Sequence, residues 1–96
     1  MIGEKVERRT KADIFFDILR IVQQEQGKTK TTRILYGANL SHARLKKYLD
    51  YLIQNGFLEK NKINGSVYFL ITEKGLNFIQ EFRRFKRFSE AFGIAI

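Results

Sequence analysis

A chain of 96 residues is long enough for one domain with a single hydrophobic core and too short for two. Hydrophobic residues make up 44% of the chain, which argues against disorder, and the absence of cysteine excludes disulfides and thiolate metal sites. The formal net charge is +8, and a small domain this basic attracts polyanions.

The sequence carries no pattern typical of membrane insertion or secretion. No run of about eighteen or more apolar residues occurs, and the N-terminal stretch MIGEKVERRTK lacks the apolar segment of a signal peptide. A cytoplasmic protein is therefore expected. The single histidine, His42, cannot bind a metal ion without carboxylate partners, so neither a metal nor another cofactor is expected.

The first predicted helix extends from Lys11 to Gln26. Thr10 is placed to cap its start, and Gly27 is placed to end it. Apolar residues recur along it at spacings of one, three and four, which puts them on one stripe of the helix. They are Ile14, Phe15, Ile18, Leu19 and Val22.

A short helix, a tight turn and a longer helix are predicted next. Lys28 to Lys30 form a polar link, Thr31 caps the short second helix, and Gly37 ends it. Ser41 caps the third helix, which ends at Asn55-Gly56. Two helices joined in this way are typical of a helix-turn-helix.

The third predicted helix has two different faces when residues are placed 100° apart. The apolar face consists of Leu45, Tyr48, Leu49, Leu52 and Ile53. The other face consists of Ala43, Arg44, Lys47, Asp50 and Tyr51. The bases near the start of this helix are therefore predicted to face outward, where they are either solvated or presented to an acidic partner.

Two short runs of β-forming residues follow, from Phe57 to Lys60 and from Val67 to Ile71. The Asn64-Gly65 pair between them tolerates positive φ angles and predicts a hairpin turn. Thr72 is placed to cap a final helix. The elements together predict a mainly α protein with a small β-hairpin, arranged as a winged helix-turn-helix with a C-terminal helix.

The final helix carries a stripe of phenylalanines, and Leu76 lies on its opposite face, where only the first turn is expected to pack against the body. The stripe consists of Phe78, Phe82, Phe85 and Phe92, spaced by four, three and seven, with Ser89 in the intervening seam position. Left exposed, such a stripe marks an interface, and a second copy of the same helix is expected to cover it. Residues 73–96 are therefore predicted to form a dimerisation element, and residues 1–72 the winged helix-turn-helix.

The stretch FRRFKRF, within residues 82–96, allows one other interpretation. A basic helix with a phenylalanine face can lie on an anionic membrane surface. Helix pairing uses the same face, and the seam spacing favours a homodimer over membrane attachment.

Two segments of the chain are distinctive, namely KTKTTRILYGANLSHARLKKYLDYLIQNGFL, residues 28–58, and YFLITEKG, residues 68–75. They resemble small archaeal winged-helix DNA-binding proteins that dimerise through a long C-terminal helix and include nucleoid-associated members. The first segment is similar to the second and third helices of that family, and the second segment is similar to the end of its wing and the start of its last helix. The resemblance covers residues 11–92. The ending EFRRFKRFSEAFGIAI departs from the family pattern, because it is short and phenylalanine-rich where longer aliphatic seams are usual.

The resemblance implies how the protein would bind DNA. The third helix would enter the major groove, the turn and the start of the second helix would touch phosphates, and the wing would follow the backbone. The candidate DNA-binding residues are Lys28, Lys30, Thr31, Arg33, Ser41, His42, Arg44, Lys47, Tyr51, Lys60 and Lys62.

Some of these candidates have a second interpretation. Arg44 and Lys47, one turn apart, can reach phosphates or a guanine edge. Ser41 is explained equally well as a helix cap, and His42 by packing against neighbouring apolar residues. Tyr51 either covers neighbouring basic side chains or donates its hydroxyl to a phosphate.

The sequence thus predicts a homodimer that binds double-stranded DNA in the nucleoid, as a transcriptional regulator or as a nucleoid-organising protein. Paired last helices would hold two DNA contacts at a fixed separation, which suits a two-part operator or the bridging of separate duplexes. The alternative is a winged helix used only for protein-protein contacts, for which an uncharged third helix is expected. No GxGxxG, phosphate-loop lysine motif or isolated carboxylate pair occurs, so neither an enzyme nor a small-molecule substrate is expected.

Overall fold

The computed structural model describes residues 9–94 as four helices and a three-stranded sheet. The elements in chain order are α1 (Lys11–Gln24), β1 (Lys28–Thr29), α2 (Thr31–Ala38), α3 (His42–Gln54), β2 (Leu58–Ile63), β3 (Ser66–Ile71) and α4 (Glu73–Ala91). This is the predicted mainly α winged helix with its C-terminal helix. Residues 1–8 of the predicted winged-helix region, which hold most of the stretch searched for a signal peptide, and residues 95–96 of the predicted dimerisation element lie outside the described residues. No helix within residues 9–94 is long and apolar enough to cross a bilayer.

Helix α1 begins as predicted and ends two residues earlier. The Thr10 hydroxyl accepts a hydrogen bond from the Asp13 N–H at 3.1 Å, and the Asp13 carboxylate accepts one from the Thr10 N–H at 2.9 Å. The chain then leaves the helix through left-handed backbone at Gln26 and Gly27, with φ angles of 62° and 81°. The buried residues of this helix are Ile14, Ile18, Leu19, Ile21 and Val22.

The segment from Lys28 to Lys30, predicted as a polar link, contains a strand. Strand β1 has only two residues and pairs antiparallel with β3, with Lys28 opposite Leu70 and Thr29 opposite Phe69. The sheet order is β1-β3-β2. The prediction was wrong because two residues carry no alternation of their own, and the partner strand lies 40 positions further along the chain.

Helix α2 has different ends from those predicted. Thr31 is its first residue, and Lys30 occupies the N-cap position without a side-chain hydrogen bond to the helix. The helix does not end at Gly37 and continues to Ala38, and the C-cap residue Asn39 has a left-handed φ of 56°. A Cβ at Gly37 would lie 2.7 Å from Cδ1 of Ile21. Glycine at this position therefore allows α2 to lie close against α1.

The remaining boundaries follow the predicted local signals. The Ser41 hydroxyl accepts from the Arg44 N–H at 3.3 Å and caps α3. The Asn64-Gly65 turn has φ angles of 50° and 82°, as a two-residue hairpin turn requires. The Thr72 hydroxyl accepts from the Gly75 N–H at 3.1 Å and caps α4.

Helix α4 packs on the domain through a different face from the one predicted. Leu76 is 37% exposed, whereas Ile79 is completely buried. The Phe82 ring lies 4.8 Å from the Phe16 ring of α1, and the Phe78 ring lies 5.7 Å from the Phe57 ring. The prediction that only the first turn packs was therefore wrong, because two phenylalanines of the predicted seam contact the protomer's own body.

Candidate nucleic-acid interface

The outward face of α3 carries two cations that form no ion pair with any residue from 9 to 94. Arg44 and Lys47 are exposed, and neither takes part in any ion pair among residues 9–94. The Arg44 guanidinium lies 5.9 Å from the Tyr48 ring centroid, which restrains its position without neutralising its charge. Lys46, by contrast, pairs with Asp50 at 3.1 Å.

A groove of about 470 Å³ opens between α3 and the sheet. Its polar lining consists of Thr31, His42, Lys46, Asp50 and Lys60. Its apolar lining includes Leu45, Leu49, Ile53, Val67 and Phe69. His42 is exposed at this groove, beside the capped start of α3. The groove thus brings together candidates from α2, α3 and the wing.

Tyr51 is held by an aromatic contact with α1. Its ring is stacked on the Phe15 ring at a centroid distance of 5.0 Å and an interplanar angle of 10°. Neither of the two interpretations of Tyr51 included this contact. The same two rings line a hollow that also contains Lys11 and Lys47. Sequence reasoning missed Lys11, because its position beside α3 depends on how α1 and α3 pack.

The start of α2 brings fewer free charges to this site than predicted. The Arg33 guanidinium pairs with the Glu25 carboxylate at 2.9 Å, so its charge is largely compensated. Thr31 lines the groove beside α3. Tyr36, near the end of the same helix, is 78% exposed and was not predicted as a surface residue.

The sheet divides the predicted basic residues between its two faces. Residues directly opposite each other in an antiparallel sheet lie on the same face. Lys60 is opposite Phe69, which is buried, so it lies on the face turned toward α3 and the core, here called the inner face. Lys28 is opposite Leu70 and therefore lies on the outer face. Lys62, two residues after Lys60, shares the inner face.

Tyr68 is the centre of a basic cluster on the outer face. The ammonium nitrogens of Lys28 and Lys30 lie 5.3 Å and 5.5 Å from the centroid of its ring. The sequence predicted these two lysines in a polar link before α2, and Tyr68 was not among the predicted DNA-binding residues. The sequence of β3 shows which side chains share a face of the sheet, but it does not show that β1 pairs with β3 and brings the lysines to Tyr68.

An apolar strip remains exposed near the end of α4. Phe85, Phe88 and Phe92 are 49%, 54% and 69% exposed, and the rings of the last two lie 4.8 Å apart. Phe88 was absent from the predicted dimer interface. Phe78 and Phe82, which were included, are half-buried in the protomer.

The fold consists of helices α1 to α3 followed by a β-hairpin. Helix α3, the second helix of the helix-turn-helix, has its basic side chains on the outward face. These features define a winged helix-turn-helix protein. The sequence model of the winged helix-turn-helix family matches residues 8–90, and the chain belongs to this family.

Known proteins similar to the chain include archaeal ones. The crystal structure of Sso10a-2, a DNA-binding protein from Sulfolobus solfataricus, has a TM-score of 0.75 and 34% identity, covering 88% of this chain and 85% of that one. F93 from STIV, a winged-helix DNA-binding protein, shares the fold with a TM-score of 0.67 and 19% identity, over 83% and 92% of the two chains. These similarities confirm the resemblance predicted from residues 28–58.

Sequence relatives in Methanocaldococcus jannaschii match part of the chain. The uncharacterized protein MJ0287 is 44% identical over 55 residues, which is 57% of this chain. The uncharacterized protein MJ0290 is 38% identical over 53 residues, which is 55% of this chain. The matched segments span 55% and 24% of these two relatives.

Proposed function

We propose that this protein binds double-stranded DNA through the outward face of α3. The observation that carries the proposal is that Arg44 and Lys47 are exposed one turn apart, with no carboxylate partner among residues 9–94. A guanidinium and an ammonium in this arrangement suit phosphate oxygens or a guanine edge in the major groove. The similarity to Sso10a-2, which is a DNA-binding protein, supports the same conclusion.

The groove beside α3 suits the passage of one phosphate backbone. With α3 in the major groove, the adjoining backbone would run between the helix and the wing. Lys60 on the inner face and the exposed His42 at the helix start line that path. Lys62, on the same face of β2, extends the basic edge toward the hairpin turn.

The protein acts as a homodimer joined by the exposed strip of α4. Phe85, Phe88 and Phe92 are spaced by three and four residues, which is the spacing of a paired-helix seam. Three exposed rings side by side at the end of α4 form an apolar patch of the kind that marks an interface. A second copy of α4 carries the same strip and would cover it. This seam replaces the predicted one, since Phe78 and Phe82 are occupied within the protomer.

Two α3 surfaces held in one dimer suit a transcriptional regulator or a nucleoid-organising protein, located with the DNA. Selection of bound fragments from random duplex DNA separates these roles, because a regulator recovers a motif and an architectural protein does not. The alternative, a module for protein-protein contacts alone, would need carboxylates of a partner protein to meet Arg44 and Lys47, whereas in duplex DNA the phosphates supply the negative charge.

The test is the DNA affinity of a variant in which Arg44→Ala and Lys47→Ala are combined. Fluorescence anisotropy with a labelled duplex should show affinity reduced about tenfold or more, because two cation-phosphate contacts are lost. The matched control combines Arg84→Ala and Arg87→Ala on α4, which removes the same charge away from α3. Equal affinities for the two double variants would mean that net charge, and not α3, determines binding.

A further inference from the structure

We propose that the outer face of the sheet is a second contact surface for a DNA backbone, separate from α3 and formed by Lys28, Lys30 and Tyr68. The inference rests on the proposed function and extends it, because it gives each protomer two places to hold duplex DNA. The second surface contacts phosphates alone and therefore binds without regard to sequence.

The separation of the two surfaces follows from the register of the sheet. Phe69 is 5% exposed and faces the core, so Tyr68 and Leu70 on either side of it face the opposite way. Lys28 is directly opposite Leu70 and shares its face, whereas Lys60 is directly opposite Phe69. The sheet itself therefore lies between the two groups of lysines. A straight duplex docked on α3 and the inner face cannot also reach the outer one.

In the outer cluster the Tyr68 ring positions the ammonium groups of Lys28 and Lys30, and their charges are not neutralised by an ion pair within residues 9–94. The Tyr68 ring lies within 5.5 Å of both ammonium nitrogens, which holds the two cations near each other. Neither lysine belongs to an ion pair within residues 9–94. Glu59 of β2 is directly opposite Leu70 of β3 and therefore shares the outer face, but it forms no ion pair with Lys28 or Lys30. Both ammonium groups are thus available to an external anion.

The chemistry of this face favours a phosphate backbone over a protein partner. Protein interfaces draw most of their binding energy from a few large anchors, chiefly Trp, Tyr and Arg, that become fully desolvated on binding. Within residues 9–94 the exposed large apolar side chains lie on α2, α3, α4 and the residues after α4, and none lies on the sheet. Beside the lysines the outer face offers the exposed Asn61, directly opposite Tyr68, as a further hydrogen-bond donor. Cations and an amide around one ring suit phosphate and sugar oxygens.

The test compares two double variants that remove the same charge from opposite faces. Lys28→Gln with Lys30→Gln changes the outer face, and Lys60→Gln with Lys62→Gln changes the inner face. Affinity for one labelled duplex is measured by fluorescence anisotropy. Joining of two duplexes is measured as capture of a labelled duplex by an unlabelled duplex fixed to beads, with the full-length protein added.

The outer variant should lose most of the capture, about fivefold or more, and should lose less single-duplex affinity than the inner variant. The inner variant should lose single-duplex affinity by about fivefold to tenfold. A variant with Lys28→Arg and Lys30→Arg, which keeps both charges, should capture as the wild type does. Circular dichroism melting curves confirm that each variant folds.

Three results would overturn the second surface while leaving the proposed function intact. Unchanged capture by the outer variant would assign the joining of duplexes to the two α3 helices of a dimer. An outer variant that loses as much single-duplex affinity as the inner one would mean that one duplex covers both faces. Wild-type protein that binds a duplex without capturing a second one would also exclude it. Failure of the wild type to bind any duplex would instead overturn the proposed function itself.

Discussion

Gly75 shows how one residue determines the position of α4 on the domain. A Cβ built on it would lie 2.5 Å from the carbonyl oxygen of Phe57 and 2.8 Å from Cγ1 of Ile71. The first of these atoms belongs to the backbone and cannot turn aside as a side chain can. Glycine is therefore required where α4 begins, although it is the poorest helix former after proline.

The substitution Gly75→Ala should lower the free energy of unfolding by about 1–3 kcal/mol, because the added methyl group overpacks a buried contact. Helix propensity alone predicts the opposite sign, a gain of about 1 kcal/mol. The free energy of unfolding measured in urea distinguishes the predicted loss of stability from the predicted gain. Asn77→Ala, at an exposed position of the same helix, is the control and should be neutral or slightly stabilising. A Gly75→Ala protein more stable than the wild type would contradict the close packing.

Individual side chains were predictable where only one helix determines them. The outward placement of Arg44 and Lys47 followed from the period of α3, and the capping role of Ser41 from its position before that helix. The pairing of Arg33 with Glu25 was not predictable, because the two residues belong to different parts of the chain and meet only after folding.

At the scale of elements, α4 shows why a repeating pattern does not identify the buried face. Its phenylalanines form two stripes, and the mean direction of Phe85, Phe88 and Phe92 lies about 70° around the helix from the mean direction of Phe78 and Phe82. Both stripes have seam-like spacing, so the sequence predicts an apolar face without choosing between them. The buried stripe is determined by the contact of Phe82 with the Phe16 ring of α1, which forms only when the two helices pack together.

The dimer seam can be tested by placing a carboxylate on each stripe. Phe85→Glu and Phe88→Glu should each give a folded monomer in sedimentation velocity, because an unpaired carboxylate in a seam costs several kcal/mol, on the order of 3–5. Leu76→Glu, also exposed on α4 but outside the strip, should leave the dimer intact. Phe82→Glu should instead lower the stability of the protomer. Dimers that persist in both of the first two variants would exclude this seam.

At the scale of the whole molecule, charge determines how binding depends on salt. The outward face of α3 and the inner face of the sheet present four cations that form no ion pair within residues 9–94, namely Arg44, Lys47, Lys60 and Lys62. Each phosphate that they neutralise should contribute about 0.9 to the slope of log K against log salt concentration. A slope of about −4 per bound protomer is therefore expected from a salt titration. A slope near zero would mean that phosphate contacts contribute little to binding.

The two-residue strand β1 affects how freely the wing can move. Strand β1 pairs with β3, and the Gly27 carbonyl accepts a further hydrogen bond from the Ile71 N–H at 3.0 Å. The base of the hairpin is thereby tied to the segments on either side of β1, at the end of α1 and the start of α2. We therefore expect a duplex that touches both α3 and the wing to supply the bending needed for a close fit, so that DNA steps that deform easily are favoured.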